Sequence, residues 1–446
     1  MHQAYGPIVR INPRELSIAD PDFYDQVYMS TNTRRTEGYS QYVSGIGFDN
    51  TFSLSHAHEL HRRHRKPVEP YFSRLGITKL EPFTNGAVEK LIARFESFRG
   101  TGRVVRLDHA MMAFSFDIIS YVCIDNPTQL IDNEEFSPIM YDLLHSILRC
   151  LPLFTEFPWI IYVVRRMPSW LLLWLDPKAE CVNVWRADVE KHIKQLIEEK
   201  GQKQAIKVEP TVGKRPTLFR YMVYESDLLE EDLTVDRLTN EAQVLMSAGS
   251  VAVGRTLHFI IFYLLSNTHI HERLEDELKN TGPHITWSQL EQLPYLQAII
   301  KEGLRLSIGT IHRLPRVSPD EELHFTSGKG VKVWRIPAGV PVRMTNYFLH
   351  TALDVFLDPY SFVPERWLAN VSPPMTHNLV SFSQGSRNCI GMNLATELNL
   401  MLAALFSPGA PRFELFETYE TDVAAAHDYL VHMARLDSKG VRVVFR

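Results

Sequence analysis

One cysteine in a glycine-punctuated stretch constrains this chain more than any other feature. Cys389 lies in the stretch from Phe382 to Gly391, directly before a segment with helical periodicity. A thiolate stays ionised at neutral pH only in positive surroundings, which a helix N-terminus, backbone N–H groups and a metal ion together provide. Gly385 and Gly391 allow the backbone to turn tightly and to approach a flat ligand closely. The stretch therefore predicts a loop that presents a thiolate ligand to haem iron.

The remaining cysteines and the composition exclude several other classes of protein. Cys123, Cys150 and Cys181 are widely spaced and form no C-x-x-C pair, which argues against a disulfide framework or a structural zinc site. We interpret them as small buried hydrophobes in a protein of a reducing compartment or a cytosol-facing surface. With 446 residues, of which 45% are hydrophobic, the chain can bury a large core. Its net charge of -5 provides no general attraction to nucleic acid.

The stretch around Cys389 resembles the signature of the cytochrome P450 superfamily, Phe-x-x-Gly-x-Arg-x-Cys-x-Gly, at every fixed position. The resemblance covers essentially the whole chain from Tyr5 onward, and its best matches are filamentous-fungal members. It implies a single haem-thiolate domain over residues 1–446, mainly α-helical with small β-sheets, that binds haem b through Cys389. Helical spacing after residue 50 and strand-like pieces between 311 and 345 agree with this fold. The polar stretch 200–216 is predicted as an exposed loop within that domain.

The resemblance also implies which residues hold the cofactor. His61 and Arg65, one helical turn apart, fall where the family binds a haem propionate, and Arg313 and Arg387 fall at two further propionate positions. The neighbouring basic residues are interpreted as solvated, or as a surface for an acidic electron-transfer partner. The full set of predicted cofactor-binding residues is His61, Arg65, Ala248, Arg313, Phe382, Arg387 and Cys389.

A second motif predicts a buried ionic network beneath the haem. Glu302 and Arg305 are three residues apart and share one face of a helix. Such a pair is usually a solvated surface feature. The resemblance adds Arg366, from the sequence Pro-Glu-Arg-Trp downstream, and places all three in a structural network with no part in the chemistry.

The distal helix departs from the family. In oxygenating members its middle reads Ala-Gly-x-(Asp/Glu)-Thr, and the acid and threonine hold water and deliver protons for O–O cleavage. The stretch that aligns here begins at Ala248 and places Val251 at the acid position and Ala252 at the threonine position. Ser250 is predicted to point away from the iron, unless a π-bulge turns it or Ser247 inward. The catalytic residues are therefore left unassigned.

Three functions remain open from the sequence. The first is a monooxygenase that hydroxylates, epoxidises or desaturates an apolar secondary metabolite such as a terpenoid or polyketide, with electrons from an NADPH-cytochrome P450 reductase and a substrate hydroxyl completing the proton path. The second is non-oxidative isomerisation, dehydration or cyclisation. The third is a catalytically inactive interaction protein. The intact Cys389 loop makes the third least favoured.

Membrane association is also open. The chain shows no apolar run that predicts a bilayer span and no signal peptide, whereas eukaryotic members of the family usually begin with an anchor helix. Residues 5–11 resemble the first strand after such an anchor, so a trimmed chain, an incomplete gene model and an anchorless enzyme are alternatives. The first implies the cytosolic face of the endoplasmic reticulum, and otherwise the enzyme is cytoplasmic or peripheral. The tryptophan-rich segment from Leu151 to Leu175 predicts either a shallow interfacial contact or a buried helix pair.

Overall fold

The structure is a computed structural model that describes residues 1–30, 33–175, 179–203, 216–279, 281, 285–327, 332–369 and 371–446. Residues 204–215, the greater part of the predicted exposed loop, lie outside this description. The helices, in chain order, are α1 (His2–Tyr5), α2 (Tyr24–Val27), α3 (Ser40–Ile46), α4 (His58–Arg65), α5 (Glu69–Phe72), α6 (Arg74–Thr78), α7 (Glu81–Ser97), α8 (Leu107–Cys123), α9 (Pro138–Glu156), α10 (Trp159–Arg166), α11 (Ser169–Leu175), α12 (Ala179–Lys203), α13 (Leu218–Tyr224), α14 (Val235–Ser266), α15 (Thr268–Leu278), α16 (Trp287–Leu290), α17 (Pro294–Ser307), α18 (Asn346–His350), α19 (Pro373–His377) and α20 (Thr396–Phe406).

The strands are short and belong to four small sheets. In chain order they are β1 (Ile8–Arg10), β2 (Leu16–Ile18), β3 (Glu37–Gly38), β4 (Val104–Arg106), β5 (Arg316–Val317), β6 (Leu323–Thr326), β7 (Val333–Ile336), β8 (Pro341–Arg343), β9 (Phe413–Leu415), β10 (His427–Tyr429), β11 (Val431–Met433) and β12 (Arg442–Phe445). The largest sheet has the order β1-β2-β8-β5-β3, in which only β2 and β8 run parallel. The predicted first strand and the strand-like pieces between 311 and 345 are confirmed.

Helices α8 and α14 pack against each other at the centre of the fold. α8 is largely apolar, and nearly all of its residues are buried, so it packs against other elements on every side. A Cβ at Gly254 of α14 would lie 2.7 Å from the Cα of Met112, so the absence of a side chain lets the two helices approach closely. α14 begins after Thr234, whose hydroxyl accepts the Arg237 N–H at 3.4 Å. The long distal helix is thus held firmly across the core.

Two features bear on the membrane predictions. Within the described residues, α14 is long and apolar enough to cross a membrane, although the sequence predicted no such run. Most of its apolar window is buried inside the fold, so core packing accounts for its composition.

In the segment 151–175, Trp159, Trp170 and Trp174 are 63%, 71% and 76% exposed. The alternative that these tryptophans belong to a buried helix pair is therefore wrong.

Candidate haem site

The Cys389 loop is closed by backbone contacts. The Cys389 N–H donates to the carbonyl of Phe382 at 2.8 Å, and Cys389 then caps a 3-10 turn that leads into α20. Gly385 has a φ of +73°, and a Cβ there would overlap the carbonyl oxygen of Met29. Glycine is consequently required at this position. Gly391 has an ordinary φ of -83°, so its predicted role in a tight turn is not needed.

The protein alone does not hold Cys389 as a thiolate. Part of its residue surface is accessible, yet burial raises the pKa of the thiol. The Gly391 N–H and the Arg65 guanidinium act in the opposite direction and lower the pKa. A bound metal ion deprotonates a coordinating thiol outright, so the thiolate expected from the sequence needs the iron as well as its surroundings.

The Cys389 loop offers one thiol rather than a set of protein ligands. No group of three or more His, Cys, Asp or Glu side chains in the residues that the structure describes is arranged to hold a metal ion. A single cysteine on a rigid loop supplies one ligand only. This donor set fits an iron whose other in-plane ligands come from a macrocycle.

Arg65 and Arg387 connect the Cys389 loop to α4 and to the segment directly before α4. Arg65 of α4 donates to the carbonyl and the side-chain oxygen of Asn388 at 2.7 and 2.9 Å. Arg387 donates to the carbonyls of Ser55 and His56 at 2.6 and 2.8 Å. Both arginines therefore flank Cys389 directly, and each holds its part of the loop in a fixed position.

His61 lies in the same basic cluster, which repels further positive charge. Burial, together with the charges of Arg387, Arg65 and Arg316, lowers the pKa of His61 to about 2. Burial and the Arg316 charge likewise lower the pKa of Arg387 to about 9, with the carboxylate of Glu37 opposing them. Buried like charges are stable only when an anion lies among them. The cluster therefore fits the propionates of haem.

Arg313, by contrast, is not brought into this cluster. It forms an ion pair with Glu156 at the end of α9, and its Nε lies 4.0 Å from a carboxylate oxygen of Glu15. Arg316, three residues later in β5, is the arginine that acts on His61 and Arg387. A role for Arg316 was not predicted from the sequence. The signal was present, because the sequence His-Arg-Leu-Pro-Arg ends in a second arginine that is also a candidate.

The middle of α14 presents a small apolar face. Ala248 and Ala252, one turn apart, are exposed although they lie halfway along a core helix, whereas Ser250 and Val251 between them are buried. The Ser250 hydroxyl donates to the carbonyl of Met246 at 2.8 Å. α14 is α-helical throughout, so the π-bulge that would turn a serine inward is not formed. Ser250 is buried, whereas Ala248 and Ala252 are exposed, and its orientation relative to the iron stays a prediction.

The predicted ionic network of Glu302, Arg305 and Arg366 is confirmed, and its position beneath the haem stays a prediction. Glu302 and Arg305 are both fully buried, and their two contacts measure 2.7 and 3.0 Å. The Arg366 Nε donates to Glu302 at 3.1 Å, and the Trp367 indole N–H donates to it at 2.8 Å. Arg305 in turn donates to the carbonyls of His350 and Pro359, which ties α17 to the chain before the Cys389 loop.

Comparison with known proteins agrees with this site. The family model described as Cytochrome P450 matches residues 1–417. The chain belongs to the cytochrome P450 family. It is 49% identical to the cytochrome P450 monooxygenase oblB of Cochliobolus heterostrophus, over 100% of this chain and 85% of that protein. It is 42% identical to the fusicoccadiene C-8 hydroxylase of Alternaria brassicicola, with the same two coverages.

The P450 fold is supported independently by solved structures. The crystal structure of the cytochrome P450 CYP102L1 superimposes with a TM-score of 0.74 at 18% identity, covering 100% of this chain and 96% of the other. The relatives in sequence are named as monooxygenases and hydroxylases, and this P450 is accordingly an enzyme that oxidises a secondary metabolite. It works on a small molecule and depends on a redox partner.

Proposed function

We propose that this P450 binds haem b through Cys389 and oxidises a terpenoid whose surface is mainly apolar. The observation that carries the proposal is the cluster of Arg65, Arg316 and Arg387, with the neutral His61 among them, around the Cys389 loop. In this proposal the four side chains bind the haem propionates, and Phe382 and Ala248 lie against the macrocycle. Arg313 braces the end of α9 instead.

When bound, haem supplies the reductive activation of dioxygen, and a thiolate ligand favours O–O cleavage. The chain's own residues orient the Cys389 sulfur and provide an apolar surface for the substrate. Arg65 and Arg387 fix both sides of the loop, so the Cys389 sulfur is aimed before the cofactor arrives. Ala248 and Ala252 offer apolar surface without a hydroxyl, so bulky apolar substrates can approach closely from the side of α14.

In oxidative chemistry the protons must then come from a group other than the acid and the threonine that the family has at positions 251 and 252. Val251 is buried and carries no acid, Ala252 carries no hydroxyl, and the Ser250 hydroxyl is already bound to the helix backbone. A hydroxyl on the substrate, with water beside it, would supply the missing donor near Ala252. The proposal therefore favours substrates that already bear oxygen.

The terpenoid class is supported by the names of relatives. In addition to the fusicoccadiene C-8 hydroxylase, the chain is 36% identical to the stellatic acid synthase of Emericella variicolor, over 99% of this chain and 83% of that protein. The apolar face of α14 agrees with such substrates. Hydroxylation, epoxidation and desaturation are all within the reach of the same site.

A non-oxidative reaction is a second candidate, favoured by the absence of acid and hydroxyl at Val251 and Ala252. The two candidates differ in what happens to dioxygen. We would delete the gene from its host, identify the metabolite that accumulates, and supply labelled dioxygen to the haem-loaded enzyme with that metabolite. A product that carries one labelled oxygen, or lacks two hydrogens, supports oxidation. A product isomeric with the precursor would refute it and establish a rearrangement.

The proposed electron donor is an NADPH-cytochrome P450 reductase. The 446 residues contain no flavin or nicotinamide motif, and in this proposal the reductase delivers the electrons. Arg62 in α4 and Lys66 directly after it are exposed beside Arg65, which holds the Cys389 loop, and they offer a basic surface for an acidic partner. Substituting both by glutamine should slow reduction of the haem at low salt, while haem content remains unchanged. An unchanged rate of reduction would exclude this surface as the docking site.

The exposed tryptophans support a peripheral membrane contact, most simply at the cytosolic face of the endoplasmic reticulum. Trp159, Trp170 and Trp174 present indole rings to the outside, a composition suited to the bilayer interface. Replacing all three by serine should weaken sedimentation with phosphatidylcholine vesicles. Replacement of another exposed aromatic, Tyr419, provides the control. Equal sedimentation of both variants with the wild type would contradict the contact.

A further inference from the structure

A cavity between α9, α12 and α14 lies outside the proposed haem site and has no role so far. Its volume is about 780 Å³, which lies within the range of roughly 300–1,000 Å³ that is usual for small-molecule sites. Its lining includes Leu143 of α9, Trp185 and Val189 of α12, and Met246 of α14. The described residues that line it include none from the Cys389 loop. The cavity is therefore a separate space with room for a ligand.

The cavity lies on the side of α14 opposite the alanine face. Successive residues of an α-helix are rotated by about 100°, which places Met246 about 200° from Ala248 and about 240° from Ala252. Ser250, one turn after Met246, is buried, and its hydroxyl donates to the Met246 carbonyl. A molecule in the cavity would consequently contact α14 on the side away from the alanines, to which the proposed function assigns the substrate.

The floor of the cavity is apolar and its mouth is open. Leu143, Trp185 and Val189 are 3%, 7% and 3% exposed. Ile139 of α9 and Val184 of α12 also line the cavity, but they are 68% and 55% exposed. Protein interiors contain few voids larger than a water molecule, and apolar cavities bind apolar molecules. A ligand with a large apolar surface would therefore fill this space and cover side chains that are now exposed to water.

The polar residues that line the cavity favour a neutral ligand. Glu180, Asp188 and Lys191 are exposed and supply two negative charges and one positive charge. Burial lowers the pKa of His192, so its imidazole is neutral at pH 7 and adds no positive charge. The amide of Asn126 offers both a donor and an acceptor. An anionic ligand would meet an excess of negative charge, whereas a ketone or alcohol oxygen can bond to the amide.

We propose that this cavity is a second binding site, for a neutral and mainly apolar small molecule that carries a hydroxyl or carbonyl oxygen. The apolar part of the ligand packs on Leu143, Trp185 and Val189, and its oxygen lies toward Asn126. Because α14 separates the cavity from the alanine face, both sites can be occupied at the same time. The inference goes beyond the proposed function, since this site needs neither haem nor catalysis.

Cys181 gives a direct test, because it lines the cavity and is partly exposed. The haem-loaded protein would be alkylated with iodoacetamide, with and without the neutral terpenoid ketone farnesylacetone, and the rate at each cysteine measured by peptide mass spectrometry. A saturating concentration of the ketone should slow alkylation of Cys181 ~10-fold or more, since only the unoccupied site reacts. Cys150 of α9 is exposed and does not line the cavity, so its rate should stay unchanged. An unchanged rate at Cys181, or equal slowing at both cysteines, would overturn the inference.

A matched acid tests the charge of the ligand. Farnesylacetic acid has a carboxylate in place of the methyl ketone of farnesylacetone, and the rest of the molecule is the same. Because Glu180 and Asp188 outnumber Lys191, the acid should protect Cys181 ~10-fold less well than the ketone at the same concentration. Equal protection by both compounds would refute the neutral ligand class.

Substitutions at the mouth locate the site independently. V184W and I139W place a larger ring at the mouth from α12 and from α9, and each should remove one equivalent of farnesylacetone bound to the haem-loaded protein in equilibrium dialysis. V333W changes a valine of β7 that is 57% exposed and lies away from the cavity, so it should keep the wild-type stoichiometry. Wild-type stoichiometry in both V184W and I139W would contradict the site. The spectrum of the reduced carbon monoxide complex reports on the haem site alone, so a normal spectrum with one equivalent lost assigns the loss to the cavity.

Discussion

Replacing Glu302 by glutamine tests whether the network beneath the haem is essential for the fold. One oxygen of Glu302 accepts from Arg305, Arg366 and the Val363 N–H, and the other accepts from Arg305 and the Trp367 indole. In the E302Q variant, either orientation of the new amide turns an NH₂ group toward at least two of these donors. The buried Arg305 also loses its counter-charge. Breaking a buried pair in this way costs roughly 3–5 kcal/mol.

An exposed pair of the same type serves as the control. Glu96 and Arg99 are also three residues apart on the chain, at 2.8 Å, but their side chains are 47% and 59% exposed. E96Q should lower the free energy of unfolding by less than about 1 kcal/mol. We would measure urea unfolding by circular dichroism and haem content by absorbance for both variants. A loss of stability in E302Q within about 1 kcal/mol of that in E96Q, with normal haem content, would refute the proposed role of the network.

Three other perturbations test the remaining features. Burial raises the pKa of Glu241 from 4.5 to about 7, so between these pH values the unfolded chain loses a proton that the folded protein keeps. Stability should therefore fall as pH rises through this window, by at most about 3 kcal/mol, and E241Q should flatten the fall in urea unfolding. R316Q should weaken haem binding in a haem titration by ~10-fold or more, whereas R313Q should leave it unchanged. If dioxygen is the oxidant, V251E combined with A252T should raise the consumption of NADPH in the reconstituted enzyme, and unchanged consumption and product would count against oxidative chemistry.

The parts of the site that depend on local spacing could be predicted from the sequence. A cysteine between glycines before a helix leaves few conformations, and Gly385 has the positive φ that its residue type suggests. The Glu302–Arg305 pair follows from helical geometry alone. Thr234 begins α14 because a threonine before an amphipathic run satisfies the free N–H groups of the first turn. Each of these features is decided within a few residues of the chain.

The identity of the third arginine of the cluster could not be predicted in this way. Arg313 and Arg316 are both followed by apolar or strand-forming residues, and both are candidates by type. Arg313 faces two carboxylates that are far away in the sequence, Glu15 in the N-terminal segment and Glu156 at the end of α9. Arg316 lies in β5, between β8 and β3, which directs it to the Cys389 side. Such a choice depends on tertiary contacts.

In the proposed function, protons come from the substrate and its bound water rather than from side chains of the distal helix. Because Val251 and Ala252 carry no acid or hydroxyl, α14 contributes apolar surface and no proton. A substrate that already bears a hydroxyl can provide one, but only if it binds in a fixed orientation. In the proposed function that orientation places the substrate hydroxyl near Ala252, where it replaces the side chain that α14 lacks. A substrate analogue without this hydroxyl should then lower product yield more than it lowers consumption of NADPH, and equal coupling of both compounds would contradict this source of protons.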